Sequence, residues 1–513
     1  MNQKIVFISP PTQTNRTPEE NLGLEYLAAE SRISGHQVTI IDAWMERKSL
    51  NNIVNKVLSI SPTVIGFGPS MDSFKNTYAI CDRLRQKGYI GKIILGGIYA
   101  SFEAERIVYE ISSVDGVLSG ESDFSFQQYL NSLCLKGIPG AVYISNNKIL
   151  KENSPHGINN LDVLPLPARD NFSLVKSWKT PSHVMGSRGC YGDCSFCSVA
   201  CFQKYSSNKR WRGRSPESIV SELINLVKIG ENMIKFIDDN FFGYGNKERE
   251  KKIAKLIIKS GIKIRFRISL RVNDVDDEVI SLLKKAGLFA VSLGVESFVQ
   301  RKLNDFSKGT TVKQNLEAIK ILQKYGIFVQ MGFIMFDPFI ILDEIKQELD
   351  GLIATRWAIT KGISTKLFAA DGTRITQKIK EKVGFIDKEG VNNIYQIRDI
   401  KARLFAQVLS YWAKKQNALY EMTIDPISAP KNIPYFQMKK LHFYCQQLKD
   451  LDIQLAFFLY NKIKHDEELK NLTKFVDDFY QKNLPFINKI QIKVSKIYND
   501  LGLEFLAIKN KRI

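Results

Sequence analysis

The stretch SRGCYGDCSFC, from Ser187 to Cys197, identifies the central fold of this 513-residue chain. Its cysteines Cys190, Cys194 and Cys197 have the spacing C-x3-C-x2-C, and the apolar segment His183–Gly186 before them is a predicted strand. Three thiolates in one loop can hold three corners of a soft-metal site. A four-iron cluster with only three thiolate ligands leaves one iron open for a substrate or cofactor. The loop is therefore a candidate site of chemistry.

Cys201 keeps a second interpretation open, because a structural zinc site needs a fourth ligand to close its tetrahedron. A closed zinc loop would not explain the strand and helix pattern around it. The chain has seven cysteines, and an odd number in a cytosolic protein argues against a disulfide framework.

Strands and helices alternate on both sides of the cysteine loop. Six predicted strands indicate a full or partial (β/α)6 barrel of the TIM type, whose site gathers the loops after its strands. They are His183–Gly186, Met233–Asp238, Lys263–Ser269, Ala290–Glu296, Phe328–Met335 and Ile363–Phe368. Helices are predicted over Pro216–Lys228, Asp277–Ala286 and Val312–Tyr325.

The N-terminal part has its own α/β pattern, with five apolar strands separated by amphipathic helices. Continuous apolar strands indicate a parallel sheet that is covered on both faces. We expect a flavodoxin-like or Rossmann-like domain, with its ligand beyond the carboxyl ends of the strands. The strands are Lys4–Ser9, Gln37–Asp42, Thr63–Gly68, Lys92–Gly97 and Gly116–Gly120, and a hairpin is predicted over Val142–Leu150.

We predict four units: residues 1–140, a linker over 141–180, the barrel over 181–385, and a mostly helical domain over 386–513 with a substrate role. Residues 1–150 hold 14 Lys and Arg and 14 Asp and Glu, so the net charge of +20 lies in the rest of the chain. No block of basic residues stands out, which makes nucleic acid an unlikely partner. No apolar run reaches the about 18 residues of a membrane helix, and no signal peptide is visible. We expect a cytoplasmic protein with no membrane partner.

The ordered motifs resemble the radical S-adenosylmethionine (SAM) superfamily, in the branch with an N-terminal cobalamin-binding domain. Besides the cysteine loop, the resemblance rests on motifs of the barrel and of the N-terminal part. They are WRGRSPESIVSEL (211–223), FIDDNF (236–241), SLGVES (292–297), GTTVKQNLEAIKILQKYGI (309–327), LGLEYLAAESRISGHQVTIID (22–42), LGGIYASF (95–102) and SGESD (119–123).

The resemblance implies three cofactors: a [4Fe–4S] cluster, SAM and cobalamin. The open iron would bind SAM, and an electron from the cluster would cleave SAM to a 5′-deoxyadenosyl radical that takes hydrogen from a substrate. In relatives, methylcobalamin commonly gives a methyl group to the substrate radical. The implied function is methylation of an unactivated carbon of a biosynthetic intermediate, as in natural product biosynthesis. The radical chemistry would belong to the cofactors, and the protein would orient them and exclude competing reactions.

The resemblance also implies site residues, although no catalytic residue can be named. Cys190, Cys194 and Cys197 would hold the cluster. The SAM contacts would be Phe196 beside adenine, Ile334 through its backbone, Lys308 at the carboxylate, and Glu296, Asp238, Asp239 and Asn240.

Cobalamin would lie against Ser70, Met71, Gly96, Gly97, Gly120 and Glu121. The motif D-x-H-x-x-G, whose His ligates cobalt in better-known cobalamin proteins, is absent. His36 precedes a strand and is expected to be structural. The loop from Gly68 to Asp72 is our candidate to cover the lower face of the corrin in place of a His.

Three other functions stay open. A radical SAM enzyme could instead catalyse ring contraction, cyclisation or transfer of another SAM fragment, with or without cobalamin. A methylthiotransferase for RNA would need three further cysteines that the N-terminal domain lacks, and a scaffold would need no cluster loop. We expect a small-molecule or peptide substrate and a reductant such as flavodoxin or ferredoxin. The excess of 17 basic over 8 acidic residues in 351–450 indicates an anionic substrate.

Overall fold

The structure is a computed structural model that describes residues 2–12, 18–155, 157–206, 209–245, 247–428, 433–466 and 469–503. Three parts follow one another along the chain: an N-terminal α/β domain, a central barrel-like sheet with helices, and a helical C-terminal part. The predicted fold class is confirmed.

A seven-stranded sheet forms the N-terminal domain. Its strands are β1 (Lys4–Ser9), β2 (Gln37–Asp42), β3 (Val64–Phe67), β4 (Lys92–Gly96), β5 (Gly116–Leu118), β6 (Ala141–Ser145) and β7 (Lys148–Lys151). The order β2-β1-β3-β4-β5-β6-β7 begins with five parallel strands in the 2-1-3-4-5 order of flavodoxin-like folds. The predicted hairpin is β6 and β7, and β6 pairs antiparallel with β5. The sheet therefore continues to residue 151, past the boundary expected at residue 140.

Helices cover both faces of this sheet. They are α1 (Leu22–Ile33), α2 (Leu50–Ile60), α3 (Phe74–Gln86), α4 (Gly97–Phe102), α5 (Ala104–Glu110) and α6 (Asp123–Ser132). Two apolar clusters fill the space on the two sides of the strands. In β1 the residues from Ile5 to Ile8 are all buried, which is why this strand is a continuous apolar run.

The central part contains five parallel strands in the order β14-β13-β12-β11-β8. They are β8 (Ser182–Val184), β11 (Met233–Phe236), β12 (Arg265–Arg271), β13 (Leu288–Glu296) and β14 (Phe328–Phe333), and a separate antiparallel pair is formed by β9 (Ser187–Gly189) and β10 (Trp211–Gly213). The helices are α7 (Phe172–Trp178), α8 (Ser198–Phe202), α9 (Pro216–Lys228), α10 (Glu248–Ser260), α11 (Asp277–Ala286), α12 (Gln300–Asp305), α13 (Val312–Lys324) and α14 (Leu342–Ala354).

The prediction of a sixth strand over Ile363–Phe368 is wrong. Within this segment, Lys366 forms an isolated bridge to Phe336, and Ile359, before the segment, forms another to Gln330. Gly362 has a left-handed backbone, with φ of +101°. The Thr365 side chain then accepts from the Met335 N–H and donates to the Phe333 carbonyl, as a neighbouring strand would. The barrel is therefore partial, with an irregular sixth segment.

The C-terminal part contains α15 (Arg374–Lys382), α16 (Ile400–Ser428), α17 (Tyr435–Lys464) and α18 (Leu472–Asp500), and a small hairpin of β15 (Asp387–Glu389) and β16 (Asn392–Ile394). The long helices share one continuous apolar core with the barrel. Trp357, Phe328 and His442 pack together where α17 meets the start of β14. Among the described residues, no helix has both the length and the hydropathy that crossing a bilayer requires.

Candidate functional site

The cysteine loop begins directly after β9. Cys190 and Cys197 are partly buried and Cys194 is buried, and all three are free thiols. The Gly192 N–H donates to Cys190 Sγ over 3.3 Å, and burial raises the pKa of Cys197 to about 11. Ser195 fixes the loop, because its N–H donates to the Phe306 carbonyl over 2.8 Å.

Arg271, at the end of β12, contacts the cysteine loop. Its Nη1 donates to Cys194 Sγ over 3.2 Å, and the guanidinium lies 5.2 Å from the ring centre of Tyr191. The Asn240 side chain accepts from the Arg271 N–H over 3.0 Å. Burial alone would lower the pKa of Arg271, but the neighbouring Cys194 raises it above its ordinary value. A fixed cation therefore faces the sulfur atoms.

These residues fit a [4Fe–4S] cluster. Three free thiols lie in one loop that also offers an N–H donor to sulfur, and such thiolates and hydrogen bonds hold and tune these clusters. Cys201 instead donates to the Gly372 carbonyl over 3.1 Å. This bond disfavours the zinc interpretation, which needs Cys201 as its fourth ligand.

Glu296 and Lys308, predicted separately as SAM contacts, form an ion pair of 3.1 Å at the end of β13. Glu296 has a left-handed backbone with φ of +69°, and a register shift between Gly294 and Glu296 marks a bulge. Bulges re-aim side chains beside active sites. A Cβ on Gly294 would lie 2.6 Å from Lys308 Nζ, and one on Gly332 would lie 3.2 Å from the Glu296 carboxylate. The two glycines leave room for the pair inside the barrel.

Phe196 and Ile334 pack in one apolar cluster around Phe306. The Phe196 ring meets Phe306 edge to face, with centroids 5.2 Å apart. The backbone of Ile334 is already bonded within the protein: its N–H donates to the Glu296 carbonyl and its own carbonyl accepts from Lys302. Phe196 and Ile334 therefore lie together. The hydrogen bond from the Ile334 N–H to the Glu296 carbonyl connects them to the ion pair of Glu296 and Lys308.

The three polar residues after β11 point in different directions. Asp238 is buried and accepts from the Gly186 N–H and from Ser187 Oγ, and burial raises its pKa to about 6. Asn240 is buried and uses its amide on Arg271, Asp274 and Phe242. Of these three residues, only Asp239 lines the main cavity. Desolvation of its carboxylate raises its pKa to about 6. Asp238 and Asn240 therefore hold the loop structure together.

A cavity of about 650 Å³ lies between the N-terminal domain and the barrel. The loops after β3, β4 and β5 line one side, and the ends of β8 and β11 with the start of α8 line the other. Phe368, Ala370 and Val391 close it from the segment after the barrel. In the described part of the chain, the lining includes no residue of α16, α17 or α18. The carboxyl ends of both sheets thus face one shared space.

All six residues predicted to contact cobalamin line this cavity. Gly120 has φ of +81°, and a Cβ there would lie 2.8 Å from Pro155 and Ser206, so glycine is needed for packing against the barrel. Glu121 forms ion pairs with Arg188 and Arg212, which join the two domains. Gly97 has φ of +85° and open space where its Cβ would stand.

No His side chain belongs to the lining in the part of the chain that the structure describes. His36 is buried and its Nδ1 accepts from the Gln3 N–H over 3.0 Å, which agrees with the structural role expected for it. The loop of Gly68, Pro69, Ser70 and Met71 lines the cavity instead.

Two family models match the chain: Radical SAM superfamily over residues 184–352 and B12 binding domain over residues 13–129. An uncharacterized methyltransferase of Pyrococcus horikoshii is 31% identical over 364 residues, which are 68% of this chain and 77% of that protein. The chain belongs to the radical SAM superfamily, in the branch with a B12-binding domain. The predicted family is confirmed, and the family implies a [4Fe–4S] cluster, SAM and cobalamin as cofactors of this radical SAM enzyme.

Other relatives of this radical SAM enzyme differ in their named reaction. An anaerobic magnesium-protoporphyrin IX monomethyl ester cyclase of Rubrivivax gelatinosus is 26% identical over 336 residues, 60% of this chain and 58% of that protein. The solved structure of the cobalamin-dependent S-adenosylmethionine radical enzyme OxsB with aqua-cobalamin bound has a TM-score of 0.78 at 18% identity, over 97% of this chain and 80% of that one. The structural likeness shows a shared fold.

Sequence reasoning missed two groups in this radical SAM enzyme. Arg271 could have been found, because alternate residues of a barrel strand point inward and β12 reads RFRISLR. The second group is the buried pair of Lys302 and Glu348, 2.7 Å apart. Lys302 also donates to the carbonyls of Ile334 and Met335, and Glu348 accepts from the Phe298 N–H. The partners lie 46 residues apart, and no sequence signal joins them.

Proposed function

We propose that this radical SAM enzyme methylates an unactivated carbon of a biosynthetic intermediate with cobalamin as methyl carrier. One observation carries the proposal: the same cavity is lined by every predicted cobalamin residue and also by Asp239 and by Ser198, which directly follows Cys197. A substrate in that cavity would lie between the two cofactor sites. The 31% identical methyltransferase supports methyl transfer as the reaction.

The proposal assigns the cysteine loop and the ion pair at the end of β13 to the cluster and to SAM. When bound, the cluster and SAM would supply a radical, and cobalamin would supply a methyl group. Cys190, Cys194 and Cys197 would hold the cluster, and Phe196 would contact the adenine of SAM. The pair of Glu296 and Lys308 orients SAM by charge, because each can exchange its partner for an oppositely charged group of the ligand.

The cavity wall keeps water away from reactive groups. Ile98, Ile237 and Phe368 line it and are 44%, 40% and 41% exposed, so apolar surface faces the space where a substrate would bind. Excluding water prevents a radical from being quenched by side reactions. The loop from Gly68 to Met71 would cover the lower corrin face without a His ligand.

The substrate in this proposal is a small molecule or peptide that carries negative charge, and the electron comes from a reductant such as flavodoxin or ferredoxin. A salt-insensitive substrate affinity would contradict the anionic substrate. Free thiols at all seven cysteines fit a reducing cytoplasm.

Anaerobic purification with cobalamin, followed by iron, sulfide and corrinoid quantification, tests the cofactors. About four irons and one corrinoid per chain are expected. Incubation with SAM carrying a deuterated methyl group and a reductant should then yield 5′-deoxyadenosine, S-adenosylhomocysteine and a labelled product. Deoxyadenosine without S-adenosylhomocysteine would contradict methylation and favour ring contraction, cyclisation or another fragment transfer.

Gly97→Val should lower the corrinoid content per chain at least tenfold while the iron content stays unchanged. The new side chain would enter the cavity where no atom now lies within 4 Å of the Cβ position. Gly137→Val is the matched control, because Gly137 also has a left-handed backbone and open space but lies away from the cavity. Equal corrinoid loss in both variants would mean that backbone strain, about 1–2 kcal/mol, is the cause.

Arg271→Met should lower the reduction potential of the cluster, because it removes a positive charge and a hydrogen bond from Cys194. Both stabilise the more negative, reduced cluster. Arg271→Lys should keep most of the wild-type value. The measurement is an anaerobic redox titration followed by EPR, without SAM. An unchanged potential in Arg271→Met would show that Arg271 only packs the loop.

Asp239→Asn should weaken SAM binding and remove its pH dependence between pH 5 and 7. With a pKa of about 6, Asp239 is ionised at pH 7.5 and loses its charge as the pH falls through 6. An interaction with the SAM ammonium should therefore weaken at low pH in the wild type only. Isothermal titration of the reconstituted protein at several pH values measures this, and the same pH dependence in both proteins would contradict the assignment.

A further inference from the structure

One wall of the cavity comes from a part of the chain that neither family model covers. Phe368, Ala370 and Val391 line the cavity, whereas the Radical SAM match ends at residue 352 and the B12 match ends at residue 129. Apart from Phe7, all other lining residues lie within the two matched ranges. This wall is therefore the part of the cavity that the two matched regions do not supply.

The stretch that carries Phe368 separates two sites. Leu367 and Ala369 are buried in the apolar cluster that contains Phe196. Phe368 and Ala370 line the cavity instead. Such alternation of side chains is typical of extended backbone. The stretch is thus a partition between the expected adenine site and the cavity.

The hairpin of β15 and β16 holds this partition in place. The Asn393 N–H donates to the Ala369 carbonyl over 3.0 Å, and Asn393 Nδ2 donates to Asp371 over 2.7 Å. Lys388 pairs with the same Asp371 at 2.7 Å. Val391 is buried in the apolar core of the N-terminal domain. The wall is therefore fixed by hydrogen bonds on one side and by packing on the other.

The charged residues of the cavity lining are already paired or assigned. Arg188 donates to both carboxylate oxygens of Asp123, over 2.7 and 2.9 Å, and Arg212 pairs with Glu121. Asp239 is the remaining charged residue of the lining, and the proposed function assigns it to SAM. Among the described residues, no Lys belongs to the lining. An anionic group inside the cavity would have to be buried without a free cation, which is costly.

We propose that the wall of Phe368, Ala370 and Val391 selects the substrate by an uncharged hydrocarbon part that enters the cavity. This rests on the proposed function, which places the substrate there. Ile98 and Ile237 belong to the same lining, so the entering part meets apolar side chains from both domains. The negative charge of the substrate stays outside the cavity. Phe368 has the largest side chain of the wall and limits the length of the hydrocarbon that enters.

Equilibrium dialysis with tritiated geraniol tests the proposal. The protein is anaerobic and loaded with its cluster and cobalamin, without SAM or reductant. Geraniol is an uncharged prenyl alcohol, and farnesol is its longer homologue. Phe368→Asp should weaken geraniol binding about tenfold, because it places a charge against the hydrocarbon. Phe368→Ala should shift the preference towards farnesol about fivefold, because the longer chain gains apolar contact in the enlarged cavity.

Ile386→Asp is the matched control, because Ile386 is exposed just before β15 and lies outside the lining. It should bind geraniol like the wild type, and citrate, an anion without a hydrocarbon chain, should not displace geraniol. The proposal is overturned if the wild type binds no geraniol, if citrate displaces it, or if the Phe368 variants keep the wild-type affinity and length preference. Dialysis measures binding without turnover. A chain that cleaves no SAM would therefore contradict the proposed function, and the dialysis would still test the wall.

Discussion

Cys190→Ala, Cys194→Ala and Cys197→Ala should each reduce the iron content from about four per chain to near zero and abolish SAM cleavage. A cluster held by three thiolates loses a third of its protein ligands in each variant, and the open iron that would bind SAM disappears with it. Iron and sulfide analysis, with 5′-deoxyadenosine measured by chromatography, gives the result. The corrinoid content should be unchanged, because none of the three cysteines lines the cavity.

Two other cysteines provide controls for this result. Cys134→Ala changes an exposed thiol of the N-terminal domain and should leave iron and SAM cleavage unchanged. Cys201→Ala removes the hydrogen bond to Gly372 but no proposed ligand. Loss of bound metal in Cys201→Ala equal to that in Cys194→Ala would revive the four-ligand zinc interpretation. Full activity without the three loop cysteines would favour a scaffold.

Lys302→Met should destabilise the barrel by about 3–5 kcal/mol, because it leaves Glu348 buried without its cation. Both side chains are fully buried, and Lys302 also donates to the carbonyls of Ile334 and Met335, just after β14. Urea unfolding followed by tryptophan fluorescence measures the loss. Lys302→Met/Glu348→Gln should recover part of it, since the uncompensated charge is gone.

The pH dependence of this variant has a definite sign. Burial already raises the pKa of Glu348, and Lys302 partly offsets the effect. Without Lys302 the folded-state pKa should rise further, so the folded variant binds a proton that the unfolded chain releases. Its stability should therefore be greater at pH 5 and fall as the pH rises towards 8.

An exposed ion pair serves as the control. Lys324 and Asp277 lie 2.8 Å apart but are 59% and 52% exposed, so Lys324→Met should leave the urea midpoint unchanged. Equal destabilisation by Lys302→Met and Lys324→Met would show that burial of the Lys302 pair has no special energetic effect.

The sequence alone determined the family and the two α/β units. Apolar runs and cysteine spacing are local properties, so the parallel strands Lys4–Ser9 and Gln37–Asp42 matched their predicted bounds. The sixth barrel strand failed because Ile363–Phe368 is apolar enough for a strand, whereas Gly362 and the Thr365 side chain replace the ladder by other bonds. The hydrophobic pattern of a segment indicates that the segment is buried, but it does not indicate which strand its backbone bonds to.

Only the tertiary structure decided which residues share a site. Adjacent residues diverge: Asp239 faces the cavity, whereas Asp238 bonds back to Gly186, because successive side chains at a strand end alternate in direction. Distant residues converge in the same way, as Arg271 does on Cys194 and Glu296 on Lys308. Residue types and spacing indicate which chemistry is available, but direction and distance arise only when the strands and loops pack together.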